Sequence, residues 1–398
     1  MTIDLLRAIR QSSQYRFIEP LRYALANTQA QLKSRGRQRQ RVLLIDDQQV
    51  YTSEQQYAPL LRDRKLLRRD LGVVIHYQRI ADILRRPAQR LSGFDVVGLK
   101  ISYRTSTEEA LKITRTIRDA MPPQARLVYF DGDDDLCVMW PGIVSIVDLY
   151  VKKHLFRDRA EYKQVRIGKT NLTNYVAQKF DINFDDDDIP TSPALDDEHI
   201  QKLTLGWNIG LDDKIDDLRQ RYRELPQLGD KDIDVVCRAS VPNEAWISPL
   251  RAQVIPQINA LRGTFKVLTP DRKVSQDIYN QEMLRSKICV SPFGNGEVCW
   301  RDFEAVLFGC VLVKPDMSHL ETAPDVFIPN ETYVPLRWDC QDLTAHLTYL
   351  LEHPEECERL RNAAAKRLRD FLNGDELSQA FGRILELAKK RRDLTAPT

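Results

Sequence analysis

Short apolar runs recur along this chain and alternate with segments of helical periodicity. In the first half the runs are Val42–Asp46, Val73–Tyr77, Asp95–Ile101, Leu127–Asp131 and Ile146–Lys153. Such runs are typical of parallel strands that are buried on both faces. The segment Thr107–Met121 carries apolar residues at three- and four-residue spacing, as an amphipathic helix does. This alternation predicts an α/β fold with a doubly wound parallel sheet.

A second series of the same kind occupies the rest of the chain. Strands are predicted at Ile233–Ser240, Phe265–Thr269, Lys287–Pro292, Cys310–Pro315 and Val326–Pro329. Helices are predicted at Pro249–Arg262, Ser275–Ser286, Trp300–Phe308, Asp342–Glu352, Pro354–Asn373 and Asp375–Arg391. A length of 398 residues has room for two domains of ordinary size. We therefore expect two Rossmann-like domains facing a central cleft at the carboxyl ends of their strands, where parallel sheets bind ligands.

Changes in composition suggest the limits of these domains. Residues 1–40 are predicted to form a helix and a basic tether, and residues 41–205 the first domain, with an acidic linker from 168 to 205. Residues 206–374 are predicted to form the second domain, and residues 375–398 a closing helix. The basic run Lys33–Arg41 has two interpretations: a solvated linker, or a dock for an anionic membrane surface.

Composition excludes several classes of protein. The chain has 59 basic and 57 acidic residues and a formal net charge of +2, which gives no reason to expect a nucleic-acid binder. Its seven cysteines include no C-x-x-C pair, which favours reduced thiols in a cytoplasmic protein. No apolar run reaches the roughly 20 residues of a membrane-spanning helix. Any membrane contact through the basic run would therefore be peripheral, at the inner face.

The segment Ser291–Leu320 carries the strongest functional signal. A buried strand is predicted to end just before a turn formed by Gly294, Asn295 and Gly296, and a helix follows shortly after Glu297. Glycines in such a turn permit close backbone approach. The helix N-terminus offers free N–H groups and the positive end of its dipole to an anion. The order strand, glycine turn and helix therefore predicts a phosphate site that these four residues line.

Charged residues in and around this segment complete the predicted site. Arg301 in the first turn of the helix can pair bidentately with a diphosphate. Glu304, three residues later, lies on the same helix face and can accept hydrogen bonds from two hydroxyl groups. Arg238 ends the first strand of the second domain, and Lys314 ends the strand after the helix, so both are expected at the same sheet edge. Arg251 and Lys287 are weaker candidates of the same kind.

The run G-x-G-E-x-x-x-R-x-F-E-A-x-x-x-G-C-x-x-V resembles the donor-binding segment of GT-B glycosyltransferases, in particular the exostosin-like and the capsule or O-antigen sugar transferases. The resemblance covers about residues 230–390. It implies a GT-B fold, a nucleotide-sugar donor in the second domain, no bound metal, and a last helix that crosses back to the first domain. It also implies that Glu304 binds the ribose, that Arg301 faces the diphosphate, and that Gly294 and Gly296 line the phosphate turn.

A general base for the acceptor hydroxyl would come from the first domain. Asp131 and Asp133, at the end of a predicted strand, are the favoured catalytic residues, and Asp46 and Asp47 close another strand. An acid-rich turn is the alternative interpretation of the first pair, because such acids stabilise turns. The cluster Asp131–Asp135 also contains the D-x-D pattern with which GT-A glycosyltransferases hold a metal and a nucleotide.

The sequence thus predicts a cytoplasmic glycosyltransferase without a cofactor. It would move a sugar from a nucleotide sugar to a glycan, a lipid-linked saccharide or another hydroxyl acceptor, as in polysaccharide biosynthesis. A non-catalytic nucleotide-sugar-binding scaffold and a metal-dependent GT-A-like transferase are the alternatives. Glu297 and Glu304 have six residues between them, where many retaining GT-B enzymes have seven. The sequence therefore assigns no stereochemistry, and it leaves the donor base, sugar and acceptor open.

Overall fold

The computed structural model describes residues 40–49, 51–134, 136–168, 171–184, 189, 191–241, 244–270 and 273–393. The predicted N-terminal helix and nearly all of the basic tether lie outside these residues, as does Asp135. Along the described chain, no helix is both long and apolar enough to cross a bilayer.

The strands and helices have the following bounds. The strands are β1 (Gln40–Asp46), β2 (Val73–Arg79), β3 (Val96–Lys100), β4 (Arg126–Asp131), β5 (Leu149–Lys152), β6 (His154–Phe156), β7 (Arg166–Ile167), β8 (Thr191–Ser192), β9 (Leu203–Leu205), β10 (Ile233–Val236), β11 (Val267–Leu268), β12 (Ser286–Val290), β13 (Val311–Pro315), β14 (Leu320–Thr322) and β15 (Val334–Leu336). The helices are α1 (Tyr51–Arg62), α2 (Arg64–Leu71), α3 (Ile80–Leu84), α4 (Pro87–Leu91), α5 (Thr107–Ala120), α6 (Pro141–Ile146), α7 (Asn171–Phe180), α8 (Asp197–Lys202), α9 (Asp213–Arg221), α10 (Ser248–Ala252), α11 (Val254–Asn259), α12 (Gln276–Leu284), α13 (Trp300–Leu307), α14 (Leu343–Glu352), α15 (Pro354–Asn373) and α16 (Glu376–Asp393).

Two parallel sheets form the two domains. The first has the strand order β2-β1-β3-β4-β5-β9, and the second the order β11-β10-β12-β13-β15. All neighbours within each sheet run parallel. Every residue of β3, β4 and β5 is buried, which is why their sequences are apolar without alternation. The predicted architecture of two doubly wound α/β domains is therefore confirmed.

The structure departs from the sequence prediction in several places. The predicted helix Pro249–Arg262 is two short helices, α10 and α11, and the strand predicted from Ile146 begins at Leu149. The interval 168–205, predicted as a linker, contains α7 and β9, and β9 is the edge strand of the first sheet. The run Val326–Pro329 was predicted as a strand, and this is wrong. The hydroxyl of Thr332 accepts from Ile328 N at 2.9 Å and donates to Val326 O at 2.6 Å. A side chain therefore satisfies the backbone groups that a ladder would pair, and β15 takes the edge of the second sheet.

The two domains are joined by direct contacts as well as by the chain between β9 and β10. Strand β14 of the second domain pairs antiparallel with β6 of the first. Asn208 Nδ2 donates to Thr322 Oγ1 at 2.6 Å and to Pro324 O at 2.9 Å across the same boundary. Helix α16 returns to the first sheet, where Phe381 is buried beside Val42. These contacts hold the two domains together.

Candidate functional site

A cleft of about 1110 Å³ opens at the carboxyl edge of the second sheet. Residues that follow β10, β11 and β12 line it. In this sheet β11 and β12 flank β10 on opposite sides, so the winding reverses at this point, where ligands of parallel sheets bind. Its lining includes the apolar residues Val241, Ile255, Pro256 and Val274. It also includes polar and charged side chains from α12, from α13 and from α9, the helix between β9 and β10.

The glycine turn before α13 lies against the first domain. Gly294 N donates to Gly296 O at 2.9 Å and closes the turn. A Cβ atom on Gly296 would stand 2.5 Å from the carbonyl oxygen of Asp134, so only glycine fits at this contact. Asn295, at the tip of the turn, is exposed. The close approach at Gly296 is thus made by protein backbone, and the predicted role of the turn in binding phosphate stays a prediction.

Two guanidinium groups lie close together beside the start of α13. Arg301 Nη1 donates to Ser291 Oγ at 3.4 Å. Arg251 donates from Nε to Phe293 O at 2.7 Å and from Nη1 to Ser240 O at 2.9 Å. Among the described residues, no carboxylate forms a salt bridge with either arginine. Burial and the neighbouring charge of Arg301 lower the pKa of Arg251. The pair therefore forms a positively charged site that an anion would stabilise.

Glu304 lies one helical turn further along α13 and is almost fully buried. Its Oε2 accepts from Tyr279 Oη at 2.6 Å, and its Oε1 lies 2.6 Å from Lys214 Nζ. Burial, followed by the charge of Glu304, raises the pKa of Tyr279 well above its ordinary value, so this hydroxyl remains a donor. The Lys214 ammonium also stands 4.7 Å from the centre of the Trp300 ring. The carboxylate is thus held at both oxygens inside the cleft wall.

Asp302 fixes the start of α13 through hydrogen bonds and an ion pair. It accepts from Ser291 Oγ at 2.6 Å and from Cys299 N at 2.9 Å, and it lies 3.2 Å from Lys314 Nζ. Asp302 and Lys314 are completely buried, and Lys314 also lies against the Phe293 ring. The predicted donor-binding residue Lys314 therefore reaches the helix that carries the site but does not line the cleft itself.

A second polar cluster lies deeper, between the domains. Among the described residues, neither carboxylate oxygen of Glu297 has a hydrogen-bond partner, although Glu297 is fully buried. His319 Nε2 lies 3.7 Å from its Oε1. His154 is also fully buried. Burial, then the charges of Lys153 and Lys152, hold the pKa of His154 well below its ordinary value. Buried polar groups of this kind call for a polar partner, such as a ligand hydroxyl or a water.

The remaining predicted donor residue, Arg238, lines the cleft but already has a carboxylate partner. Its Nε and Nη2 donate to the two oxygens of Glu282 at 2.8 and 2.6 Å. The structure therefore brings Arg238, which follows β10, to the same cleft as Arg301 and Glu304 on α13. Arg301, unlike Arg238, has no carboxylate within salt-bridge distance among the described residues.

The predicted catalytic residues Asp131 and Asp133 lie at the carboxyl edge of the first sheet, and both are buried. Asp131 Oδ2 accepts from Lys152 Nζ at 2.7 Å and from Tyr150 Oη at 2.9 Å. Asp133 pairs with the fully buried Lys100 at 2.5 Å. Burial opposes the charged form of Asp131, but Lys152 and Lys100 outweigh it and hold its pKa below the ordinary value. Such a carboxylate is a weak base, and its catalytic role stays a prediction.

The cleft contains functional candidates that the sequence did not reveal. Glu304 is surrounded by Lys214, Tyr279 and Trp300. However, Tyr279 lies 25 residues before Glu304, and Lys214 comes from the segment between β9 and β10. No spacing pattern signals contacts over such separations. Within the described ranges, no group of three or more His, Cys, Asp or Glu residues is arranged to hold a metal ion.

Comparison with known proteins agrees with this geometry. Residues 243–380, which include the glycine turn and α13, match the family model described as glycosyl transferase-like. No curated protein matches the chain.

Three remote structural likenesses are an alpha-glucosyltransferase (AGT) in complex with UDP, MnaA of S. aureus with UDP, and the α,α-trehalose 6-phosphate synthase of Burkholderia multivorans. Their sequence identities are 8%, 11% and 10%, and their TM-scores 0.48, 0.44 and 0.47. The alignments cover 87%, 91% and 91% of this chain and 99% of each of the other chains.

The family match over residues 243–380 agrees with the glycosyltransferase class expected from the sequence, and the two parallel sheets agree with the two Rossmann-like domains of the expected GT-B fold. The two-sheet fold also contradicts the single-domain GT-A alternative. In addition, both carboxylates of its D-x-D pattern, Asp131 and Asp133, are already paired with buried lysines.

Proposed function

We propose that this protein is a glycosyltransferase that binds a nucleoside-diphosphate sugar in the cleft of its second domain. The observation that carries the proposal is the pair Arg251 and Arg301, two adjacent guanidinium groups without a carboxylate partner among the described residues. A diphosphate brings two or more negative charges to this pair and relieves the repulsion between its members. The N-terminus of α13 lies beside them and adds the positive end of its dipole.

The parts of the nucleotide fit the residues that line the cleft. A ribose near the first turn of α13 would reach the carboxylate of Glu304, which accepts hydroxyl donors. A planar base would lie against apolar lining residues such as Ile255 and Pro256, where burial of aromatic surface is favourable. The transferred sugar would extend toward Glu297 and His319, whose unpaired buried atoms match the hydroxyls of a sugar ring.

The catalytic contribution of the cleft is to hold the donor and to stabilise the leaving group. As the glycosidic bond breaks, negative charge grows on the diphosphate, where the two arginines and the helix dipole already point. The first domain presents the acceptor hydroxyl and fixes its orientation. The acceptor class remains as expected from the sequence: a glycan, a lipid-linked saccharide or another hydroxyl compound, in cytoplasmic polysaccharide biosynthesis, with the basic N-terminal run as a peripheral membrane contact.

Replacement of Arg301 by alanine tests the proposal. Transfer or donor hydrolysis would be followed by release of the nucleoside diphosphate from a panel of nucleotide sugars. We expect the variant to lose activity by on the order of 10²-fold or more, because a charge that stabilises the transition state is removed. Arg285→Ala is the matched control, since Arg285 pairs with Asp232 on the surface. Near-wild-type turnover in Arg301→Ala would contradict the assignment of the cleft.

A further inference from the structure

Lys214 reaches the cleft from the segment that connects β9 to β10. It is the second residue of α9, and its backbone N donates to Asp212 Oδ1 at 2.8 Å. The other oxygen of Asp212 accepts from Tyr51 Oη at 2.7 Å, and Tyr51 belongs to the first domain. The Tyr51 ring also lies 5.8 Å from the Trp300 ring of the second domain. The base of the Lys214 side chain is therefore positioned by both domains.

The ammonium of Lys214 ends on the carboxylate of Glu304. The ammonium forms an ion pair with Oε1, while the Tyr279 hydroxyl donates a hydrogen bond to Oε2. A carboxylate has about four lone-pair positions, so one remains free on each oxygen. Two free acceptor positions on neighbouring oxygens match the adjacent 2′- and 3′-hydroxyls of a ribose. Without Lys214, the carboxylate would keep one hydrogen bond, to Tyr279, and could rotate away from this arrangement.

We propose that Lys214 is a positioning residue that holds the Glu304 carboxylate in the orientation that receives both ribose hydroxyls. By doing so it sets the preference of the enzyme for a ribonucleotide donor over a 2′-deoxyribonucleotide donor. The inference rests on the proposed function, because it takes the cleft as the nucleotide site. It assigns Lys214 an action through Glu304, distinct from the direct contact of the arginines with the diphosphate.

The test measures nucleotide binding by calorimetry with UDP, GDP and ADP and with their 2′-deoxy counterparts. The variants are Lys214→Met, Lys214→Arg and the control Lys287→Met. Lys287 is a matched lysine: its ion pair with Asp234 is 2.8 Å long and its side chain is 34% exposed, against 2.6 Å and 32% for Lys214. It lies at the amino end of β12, away from the cleft. Thermal unfolding of each variant verifies that it is folded.

We expect the wild type to prefer the ribonucleotide of the base it recognises. Lys214→Met should weaken ribonucleotide binding by about tenfold, the value of one hydrogen bond to a charged group, and should change 2′-deoxyribonucleotide binding by less than about twofold. The preference should return largely in Lys214→Arg, which keeps a cation, and should be unchanged in Lys287→Met.

Three results would overturn the inference. Equal weakening of ribo- and deoxyribonucleotides in Lys214→Met would show a direct phosphate contact or a general structural effect instead. An unchanged preference in that variant would show that Glu304 needs no help from Lys214. If the wild type bound none of the six nucleotides, the proposed function itself would fail, and the inference would fail with it.

Discussion

Replacement of Asp131 by asparagine separates a structural role from a catalytic one. Asp131 and Lys152 are each about 1% exposed, and their charged atoms are 2.7 Å apart. Burial opposes the charge on Asp131, but Lys152 and Lys100 outweigh it and keep the pKa of Asp131 below its ordinary value, so Asp131 is ionised at neutral pH. The asparagine variant removes the carboxylate that pairs with the buried Lys152 ammonium, from which Cys137 O also accepts a hydrogen bond at 3.0 Å.

The loss of stability expected in Asp131→Asn can be estimated from the burial of the ion pair. Removing one partner of a buried ion pair costs about 3–5 kcal/mol. An unfolding entropy of about 2.1 cal/mol/K per residue amounts to roughly 0.8 kcal/mol/K for a chain of this length, so the Tm should fall by about 4–6 °C if unfolding is cooperative. Asp82→Asn is the control, because Asp82 pairs with the exposed Arg79 at the surface. Such pairs contribute about 0–1 kcal/mol, so its Tm should fall by about 1 °C or less.

Scanning calorimetry of the wild type and the two variants measures their stability, and a transfer assay well below the Tm measures their activity. Together they distinguish a structural role of Asp131 from a catalytic one. We expect Asp131→Asn to lose thermal stability and to keep a transfer rate close to that of the wild type. An unchanged Tm together with a rate lower by on the order of 10²-fold or more would refute this reasoning. That result would instead support Asp131 as the general base that the sequence suggested.

Other predictions follow from the same structure. Burial raises the pKa of Asp46 to about 7 from an ordinary value of 3.8. The protonated folded form is therefore favoured at low pH, and stability is lost as the pH rises between these values. At pH 8, Asp46→Asn should accordingly unfold at a higher denaturant concentration than the wild type, with a free energy of unfolding greater by at most about 4 kcal/mol. Near pH 3 the two proteins should be equally stable. A difference in stability that did not vary with pH would contradict this prediction. Glu297→Gln should lower the transfer rate while calorimetry shows unchanged binding of the nucleoside diphosphate alone, since Glu297 is assigned to the sugar; weaker nucleotide binding would argue against that assignment.

Much of the fold could be predicted because burial leaves a local trace in the sequence. Strands such as β1 and β4 are buried on both faces, so their apolar runs stand out from the surrounding segments. Helix α5 shows its amphipathic spacing, and the Ser106 hydroxyl caps it by accepting from Glu109 N. The short strand β9 has only three residues and follows an acid-rich interval, so no run of apolar residues marks it. The antiparallel contact between β6 and β14 joins segments more than 150 residues apart and has no local signal.

The candidate site could be predicted only as far as it lies in one segment. The positions of Arg301 and Glu304 on one helix follow from their spacing, and the structure places both in the cleft. The partners that give these residues their properties come from elsewhere in the chain: Arg251 from α10, Tyr279 from α12 and Lys214 from the linker. The pairing of a charged residue depends on its three-dimensional neighbours, which is why the lysine partners of Asp131 and Asp133 could not be foreseen.

The central claim is that the cleft beside α13 binds a nucleoside diphosphate through Arg251 and Arg301. Calorimetric titration of the wild type, Arg301→Ala and Arg285→Ala with UDP, GDP, ADP, dTDP and CMP tests it most directly. We expect one nucleotide to bind the wild type and the Arg285→Ala control equally, and binding to Arg301→Ala to be weaker by on the order of tenfold or more, as expected for the loss of a charge-assisted hydrogen bond. Equal binding to all three proteins, or no binding of any nucleotide to the wild type, would contradict the account.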